Sequence, residues 1–242
     1  MSAARAAAIV CAGGSGERLG RAGGKQLAPV AGRPVLAWTI DALDAAPEVG
    51  LIVLVCPADR AEEFRTSALG TGTDVVTPVV LAPSGPTRQA SVASGLTAVP
   101  DDTEIILVHD GARPLVTPQM VSATIAAIDA DPSAAGAVIG QPAIDTLKIA
   151  TGEYIESTPD RSRYWTVQTP QTFRAAAMRA AFALADADGF LGTDDAAVVE
   201  HAGERVLLVE GSRDNIKVTV AEDIALVEAT LAFRAREENQ PT

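Results

Sequence analysis

The sequence is poor in aromatic residues, histidine and cysteine. Aromatic side chains make up 4% of its 242 residues, so a core must be built from alanine and branched aliphatic side chains. Neither His109 nor His201 stands in a Ser-His-Asp or Cys-His pattern of the kind that predicts nucleophilic catalysis. Cys11 and Cys56 lie in apolar runs without C-x-x-C spacing, which predicts buried thiols in a reducing compartment.

Positive charge and long apolar runs are also scarce. The formal net charge of -12 argues against nucleic acid or an anionic membrane as a partner. No run approaches the roughly 18 apolar residues of a membrane span, and the apolar start ends at Gly13-Gly14 without a cleavage signal. We therefore expect a soluble, cytoplasmic protein. An anionic substrate would have to be met by a local cluster of cations.

A glycine-rich stretch near the start is the strongest motif. The apolar run 7–12 breaks into Gly13-Gly14-Ser15-Gly16-Glu17-Arg18, and Lys25 follows seven positions after Arg18. Glycines let backbone N–H groups approach an anion, so the pattern predicts a strand that ends at a phosphate-binding loop. The alternative is an ordinary tight turn between a strand and a helix.

The spacing excludes the two commonest phosphate motifs. A dinucleotide fingerprint starting at Gly14 would need glycine in place of Leu19. A P-loop ending at Gly24-Lys25 would need the same glycine and a hydroxyl residue in place of Gln26.

Strand-like and helix-like segments alternate along most of the chain. This order predicts an α/β fold, Rossmann-like, with a mostly parallel sheet and helices on both faces. We expect strands at 51–56, 75–81, 104–108 and 206–210, and helices at 34–46, 58–69, 89–98, 174–187, 194–201 and from 221, with another helix opened by Thr117-Pro118. Thr219 and Glu222 form a predicted capping box for the last helix.

The stretch 144–158 breaks this order. Period-two alternation on both sides of Thr151-Gly152 predicts a β-hairpin, and an isolated hairpin is marginal in water. We expect a single nucleotidyltransferase domain over 1–242, with a protruding arm at about 143–165.

Several motifs together carry a family resemblance. Besides the glycine loop and Lys25-Gln26, they are His109-Asp110-Gly111-Ala112-Arg113-Pro114, Thr169-Pro170-Gln171, Thr193-Asp194-Asp195-Ala196 and Asp214-Asn215-Ile216-Lys217-Val218-Thr219. In this order and spacing the chain resembles the sugar-phosphate cytidylyltransferases. Within them it is most similar to the branch that acts on methylerythritol phosphate in non-mevalonate isoprenoid biosynthesis.

The resemblance implies a reaction, a set of site residues and a dimer. CTP, with Mg²⁺, would donate a cytidylyl group to a sugar-alcohol phosphate, and the arm would exchange with a second subunit of a homodimer. The implied catalytic residues are Arg18, Lys25, Lys217 and Arg161. The implied nucleotide-binding residues are Ala12, Gly13, Gly14, Ser15, Gly16, Gly85, Arg88, Ser91 and Gly111. The implied substrate-binding residues are Asp110, Arg113, Thr146, Arg161, Thr169 and Thr193, and Asp110 is the one candidate for a magnesium contact.

The chemistry of such a transfer agrees with the scarcity of histidine. A phosphate monoester has a second pKa near 6, so the nucleophile is already an anion at neutral pH and needs no general base. The reaction needs positioning and charge neutralisation, which suit Arg18, Lys25 and Lys217. His109 is then a strand-end residue, and Pro86, which lacks an N–H, departs from the family pattern in its loop.

Several alternatives stay open at this point. The acceptor could be ribitol 5-phosphate, or the chain could be a non-catalytic nucleotide-binding protein on the same fold. Lys217 could be a solvated lysine, and Arg161 could pair with Asp160 or Glu156 on the surface. Carboxylates at 194 and 195 are favoured at a helix start by the helix dipole, whatever their function.

Overall fold

The computed structural model describes residues 4–14, 24–70 and 74–238 and has an α/β architecture. The strands are β1 Ala6–Cys11, β2 Pro29–Val30, β3 Arg33–Pro34, β4 Val49–Cys56, β5 Val79–Pro83, β6 Ile105–Asp110, β7 Gly136–Pro142, β8 Ile149–Thr151, β9 Tyr154–Ser157, β10 Trp165–Arg174 and β11 Val206–Glu210. The helices are α1 Val35–Asp44, α2 Ala61–Leu69, α3 Arg88–Thr97, α4 Pro118–Ala130, α5 Ala175–Asp188, α6 Asp195–His201 and α7 Ala221–Glu238.

Seven strands form one sheet in the order β11-β7-β10-β6-β1-β4-β5. Six of them run in the same direction, because β6, β1, β4 and β5 pair in parallel and so do β11 and β7. Strand β10 is antiparallel to both its neighbours, β6 and β7. The predicted mostly parallel fold is confirmed, and strands β7 and β10 are additions that the sequence did not predict.

Helices cover both faces of the sheet, as predicted. Successive residues of β1 alternate between two apolar clusters: Ala7 and Ile9 pack with α3, α5 and α6, whereas Ala8 and Val10 pack with α1, α2 and α4. This alternation follows from the two-residue period of a strand and explains why β1 is apolar throughout. Helix α7 packs separately, with Val227 beside Val30 of β2 and the loop residue Leu115. Among the described residues, no helix is long and apolar enough to cross a membrane.

Several boundaries differ from the prediction, and two of the differences have identifiable reasons. Strand β5 begins at Val79 rather than near position 75, because the carboxylate of Asp44 accepts the N–H groups of Val76 and Thr77 and takes them out of a sheet ladder. Strand β6 continues two residues past the predicted end, because it pairs with β1 as far as Asp110 opposite Cys11.

The capping box predicted for α7 has the predicted Thr219, but Glu222 is the wrong acidic partner. The carboxylate of Asp223, not Glu222, accepts the N–H groups of Thr219 and Val220 and the Thr219 hydroxyl, at 2.7 to 3.0 Å. The helix begins at Ala221, so Asp223 is its third residue and reaches back to the donors that precede the first turn.

The hairpin in the predicted arm is present. Strands β8 and β9 pair antiparallel around Gly152 and Glu153, so the turn lies one residue later than predicted. Gly152 has φ of 60°, which a residue without Cβ adopts at little cost. The N–H of Ala143 donates to Tyr164 O at 2.9 Å and closes the base of the arm.

Candidate active site

Neighbouring parallel strands end together at one edge of the sheet and form a cleft there. Cys11 of β1 lies opposite Asp110 of β6, and the N–H of Gly111 donates to Cys11 O at 3.0 Å. Ligands of open parallel sheets bind outside the carboxyl ends of the strands, so this edge is the expected site. The cleft has a volume of about 390 Å³, and its lining is Cys11, Gly13, Gly14, Lys25, Gln26, Gly85, Pro86, Thr87, Arg88, Ser91, Asp110, Ala112 and Lys217.

Two glycines let the strand-end loops pack directly on their neighbours. A Cβ on Gly13 would lie 2.3 Å from Ser84 Cβ, and one on Gly85 would lie 2.7 Å from Ala90 Cβ. Both distances are shorter than any real contact, so a side chain at either position would push the loops apart. These glycines therefore have a packing role in the cleft wall, independent of any bound anion.

The loop that precedes α3 is held by its own hydroxyl groups. Thr87 caps the helix by accepting the N–H of Ala90 at 3.0 Å. The Ser91 hydroxyl accepts the N–H of Gly85 at 3.0 Å and donates to Thr87 O at 2.9 Å. Ser91 thus fixes the backbone of the loop, and Arg88, the first residue of α3, is placed at the cleft wall.

Asp110 is the electrostatic centre of the cleft. Its carboxylate lies 2.8 Å from Lys217 Nζ, 3.3 Å from Arg113 Nε and 3.4 Å from Arg88 Nε. Burial alone would raise the pKa of Asp110, but Lys217, Arg88 and Arg113 outweigh it and hold that pKa well below its ordinary value. The side chain is therefore an anion at every physiological pH and a fixed anchor for the three cations.

A second layer of polar groups holds Asp110 and Arg113. The Thr169 hydroxyl, on β10, accepts the N–H of Asp110 at 3.0 Å. The backbone oxygen of Asn215 accepts a hydrogen bond from Arg113 Nη1 at 2.7 Å, and the side-chain amide of Asn215 donates one to Thr169 O at 2.8 Å. The N–H of Val218 donates to Ala112 O at 2.8 Å, so the segment that carries Lys217 is bonded directly to the loop after β6.

Lys25 and Gln26 close the cleft from the side of the glycine loop. They belong to a short 3-10 turn, Lys25–Leu27, which follows Gly24. Lys25 and Lys217 are two of the three lysines in the whole chain. Four cations and two carboxylates, Asp110 and the buried Asp195, thus lie in or beside the described part of the cleft, which is locally positive although the chain is strongly acidic.

The structure gathers many, but not all, of the predicted site residues at this edge. Gly13, Gly14, Gly85, Arg88, Ser91, Asp110, Lys25 and Lys217 line the cleft, and Ala12, Gly111, Arg113 and Thr169 adjoin it. Thr193 is exposed just before α6. Thr146 and Arg161 are exposed on the arm and do not line the cleft, and Arg161 donates to Ile144 O. Ser15, Gly16 and Arg18 lie outside the described residues.

His109 has the structural place that the sequence predicted. Its ring is fully buried, with Nε2 3.3 Å from Arg113 O, and it does not line the cleft. Burial lowers the pKa of His109 to about 4, so the ring is neutral at physiological pH.

Three polar residues of the site had no role in the sequence interpretation, although Gln171, Asp195 and Asn215 all fall within the motifs quoted above. All three are buried, and all three bond to groups at or beside the cleft. Their place inside the quoted motifs is the signal that could have singled them out, whereas their burial and partners are visible only in the structure.

Comparison with known proteins places the chain in a family. The sequence model of the 2-C-methyl-D-erythritol 4-phosphate cytidylyltransferases matches residues 6–233. A protein of that name from Syntrophotalea carbinolica is 40% identical over 224 residues, covering 92% of this chain and 94% of that protein. The counterpart from Rubrobacter xylanophilus is 41% identical over 232 residues and covers 96% of both chains.

Solved structures agree with the sequence comparisons. The crystal structure of 4-diphosphocytidyl-2C-methyl-D-erythritol synthase from Anaerococcus prevotii superposes with a TM-score of 0.79 at 30% identity, covering 94% of this chain and 96% of that one. That of 2-C-methyl-D-erythritol 4-phosphate cytidylyltransferase from Thermus thermophilus gives 0.74 at 31% identity, covering 93% and 98%. The resemblance predicted from the motifs is confirmed, and the chain belongs to the 2-C-methyl-D-erythritol 4-phosphate cytidylyltransferase family.

Proposed function

We propose that this chain transfers the cytidylyl group of CTP to 2-C-methyl-D-erythritol 4-phosphate, releasing pyrophosphate, in isoprenoid biosynthesis. The observation that carries the proposal is the cleft at the ends of β1 and β6, where Lys25, Lys217, Arg88 and Arg113 surround one ionised carboxylate, Asp110. Two polyanions can meet in such a place, because the cations offset their mutual repulsion.

The reaction needs little from the protein beyond charge and position. A phosphate oxygen of the acceptor forms a bond to the α-phosphorus of CTP, and the bond from that phosphorus to the bridging oxygen breaks, so pyrophosphate leaves with the electron pair. Lys25 and Lys217 stabilise the charge on the transferring group, and Arg18, which lies outside the described residues, is the third cation that the family resemblance assigns to this work. Asp110 holds Lys217 in place at 2.8 Å before substrates arrive.

The nucleotide occupies the part of the cleft between the glycine loop and the loop before α3. Ala12, Gly13 and Gly14 border the triphosphate, to which the family resemblance also assigns Ser15 and Gly16 outside the described residues, while Gly85, Arg88, Ser91 and Gly111 border the cytidine. A wall built so closely, with Gly13 against Ser84 and Gly85 against Ala90, favours a pyrimidine over the larger purines. We expect CTP to be preferred over UTP through hydrogen bonds to its exocyclic amine.

The acceptor half of the site requires a second subunit. Asp110 lines the cleft, Arg113 and Thr169 adjoin it, and Thr193 lies exposed before α6, whereas Thr146 and Arg161 stand on the arm. The arm also exposes apolar side chains: Ile149 is 47%, Tyr154 82% and Ile155 65% exposed. We propose a homodimer in which each arm, about 143–165 of a single domain over 1–242, crosses to the partner and brings Arg161 to its acceptor phosphate.

Magnesium fits this cleft only as an ion held mainly by the nucleotide. Within the described residues, no group of three or more His, Cys, Asp or Glu side chains could hold a metal. Asp110 is the carboxylate placed to contact the ion or one of its waters, and Mg²⁺ characteristically keeps phosphate oxygens and water as ligands. When bound, the ion neutralises the triphosphate and polarises the phosphorus that is attacked.

The cellular location is part of the same proposal. Both cysteines of the chain, Cys11 and Cys56, are free thiols. Burial raises the pKa of Cys11 to about 12, which keeps it an unreactive thiol. Free, unreactive thiols suit the reducing cytoplasm, where we place the enzyme.

An acceptor panel tests the proposed function. The purified chain is incubated with CTP and Mg²⁺ and with methylerythritol, ribitol or erythritol phosphate, and pyrophosphate release is measured. We expect turnover with methylerythritol phosphate to exceed that with either of the others by at least about tenfold, the discrimination that one or two mismatched contacts supply. Preference for ribitol phosphate would change the acceptor but not the reaction, and CTP binding without turnover on any acceptor would indicate a non-catalytic nucleotide-binding protein.

A further inference from the structure

The paired carboxylates at the start of α6 do different things. Asp194 is the N-cap: its side chain accepts the N–H of Ala197 at 2.9 Å. This is the ordinary function of an acidic residue at a helix start. Asp195 turns inward instead, is 1% exposed, and has its carboxylate 2.7 Å from Nη2 of Arg88.

Arg88 is the cation that pairs with the buried carboxylate of Asp195. A buried carboxylate is costly unless a cation and hydrogen bonds compensate it. Burial raises the pKa of Asp195, and the guanidinium of Arg88 acts against that rise. Arg88 has a second acidic neighbour, Asp110, but at the longer distance of 3.4 Å. The closest anion to Arg88 is therefore Asp195, which is buried and does not itself line the cleft that Arg88 lines.

Gln171 of β10 fixes the position of Asp195. Its side-chain oxygen accepts the N–H groups of Asp195 and Ala196 at 3.1 and 3.0 Å, which are donors that a helix leaves unpaired at its start. Its amide nitrogen donates to Asp194 at 2.7 Å. Gln171 is itself buried and belongs to a strand of the central sheet, so α6 is attached at the point from which Asp195 projects.

We propose that Asp195 is a positioning residue of the nucleotide site, which holds the guanidinium of Arg88 at the cleft wall and is itself held by Gln171. The inference rests on the proposed function for the identity of the nucleotide, CTP. It gives the Thr169-Pro170-Gln171 and Thr193-Asp194-Asp195 motifs a shared role. Gln171 on β10 holds the start of α6, α6 holds the Asp195 carboxylate, and Asp195 holds Arg88 at the proposed nucleotide site.

A double-mutant cycle in CTP binding tests this proposal. The dissociation constant for CTP is measured by calorimetry, which requires no turnover, for the wild type, Asp195→Asn, Arg88→Met and the double variant. Asn keeps the shape and removes the charge, so we expect Asp195→Asn to weaken CTP binding about tenfold, because the buried ion pair that holds Arg88 is broken. In the Arg88→Met background the same change should alter binding by less than about twofold, because Asp195 acts through Arg88.

Glu200→Gln is the matched control, since it removes one negative charge from the same helix at an exposed position. It should leave CTP binding within about twofold of the wild type. An equal loss from Glu200→Gln, an equal loss from Asp195→Asn in both backgrounds, or a folded Asp195→Asn with normal CTP binding would each overturn the positioning role. A wild type that binds CTP but transfers nothing would defeat the proposed function and leave this test intact.

Thermal unfolding of the same four proteins is a second readout, which can be measured even when Asp195→Asn is too unstable for the binding experiment. Arg88→Met leaves a buried carboxylate without its cation, so it should be the least stable of the set. Adding Asp195→Asn should restore part of the lost stability. A double variant less stable than Arg88→Met would contradict the pairing.

Discussion

The cleft and the arm differ in how their side chains are partnered within one chain. At the cleft, Asp110 contacts three cations, Asp195 contacts Arg88, and Thr169 and Asn215 are buried and bonded. On the arm, every residue of β8 and β9 is exposed. A site in which charges are already compensated is preorganised for its ligand, whereas an exposed apolar ribbon is stable only against another surface.

This difference indicates which half of the reaction each region serves. The described loops and cations of the cleft are bonded within one chain, so the proposed nucleotide site would need no partner. In the proposed reaction the acceptor half would depend on Arg161, which lies exposed on the arm. We therefore expect changes at the cleft to impair nucleotide binding or transfer, and changes on the arm to impair use of the acceptor and formation of the dimer.

The largest effect is expected at Lys217. Lys217→Met removes a cation from the transferring phosphate and should lower kcat by about 10²- to 10³-fold, the range for loss of one preorganised charge donor. Dissociation of CTP should change far less, because the contact strengthens as charge develops. Arg65→Met, on the exposed face of α2, is the control and should have normal steady-state kinetics. Near-normal kcat in Lys217→Met would remove the residue from the transfer step.

A smaller and more selective effect is expected at Arg161. Arg161→Ala should lower kcat/KM for methylerythritol phosphate by about 10²-fold while KM for CTP stays within about twofold, because a charge-assisted contact to the acceptor alone is lost. Arg163→Ala, from the same exposed turn, is the matched control. Equal losses in both variants would indicate a general disturbance of the arm rather than a contact by Arg161.

The buried histidine behind the cleft predicts a pH dependence of stability. Burial lowers the pKa of His109 to about 4, so between pH 6.5 and pH 4 the unfolded chain binds a proton that the folded chain excludes. Stability from this group is present above pH 6.5 and is lost as the pH falls. Its contribution should drop by about 2 kcal/mol from pH 7 to pH 5.

Urea unfolding of wild type and His109→Gln at both pH values measures this contribution. Gln keeps a donor for Arg113 O and does not titrate, so the variant should lose less stability on acidification than the wild type does. Parallel losses in the two proteins would show that His109 is not held neutral.

The smallest effect concerns the segment that carries Lys217. Asp223→Ala removes the acceptor for the Thr219 and Val220 N–H groups and should lower the free energy of unfolding by about 1 kcal/mol, as for other helix caps. Glu222→Ala, the partner that the sequence favoured, should change it by a few tenths at most. A larger loss of stability in Glu222→Ala than in Asp223→Ala would support the capping box predicted from the sequence.

Much of the fold could be predicted, because the spacing of apolar residues within a segment indicates whether that segment is a strand or a helix. Strand β11 was predicted with its observed bounds, and α4 with its Thr117 cap. Strands β7 and β10 were missed, since β7 contains Gly140, Gln141 and Pro142 and β10 is rich in polar residues. Their pairing, not their composition, makes them strands, and pairing is a tertiary property.

The site could be predicted only as far as motifs name its residues. Asp110 and Lys217 come from motifs far apart in the sequence, and the structure joins them at 2.8 Å. The contact between Asp195 and Arg88 could not be read from the sequence, because a carboxylate at a helix start has an ordinary explanation and the packing of α6 decides where it points. The contacts that the proposed dimer would give each arm are likewise set by assembly.

Mixing two inactive variants tests most directly the claim that one subunit's cleft is completed by the other's arm. Lys25→Ala impairs the cleft of its own chain, and Arg161→Ala impairs the arm of its own chain. If each arm serves the partner, a mixed dimer has one site with both defects and one intact site, so pyrophosphate release should return on subunit exchange. When equal amounts of the two chains mix randomly, half of the dimers are mixed, so about a quarter of all sites are intact and about a quarter of wild-type activity is expected. If Arg161 serves its own cleft, every site keeps one defect and no activity returns, and a chain that sediments as a monomer would contradict the account without any mixing.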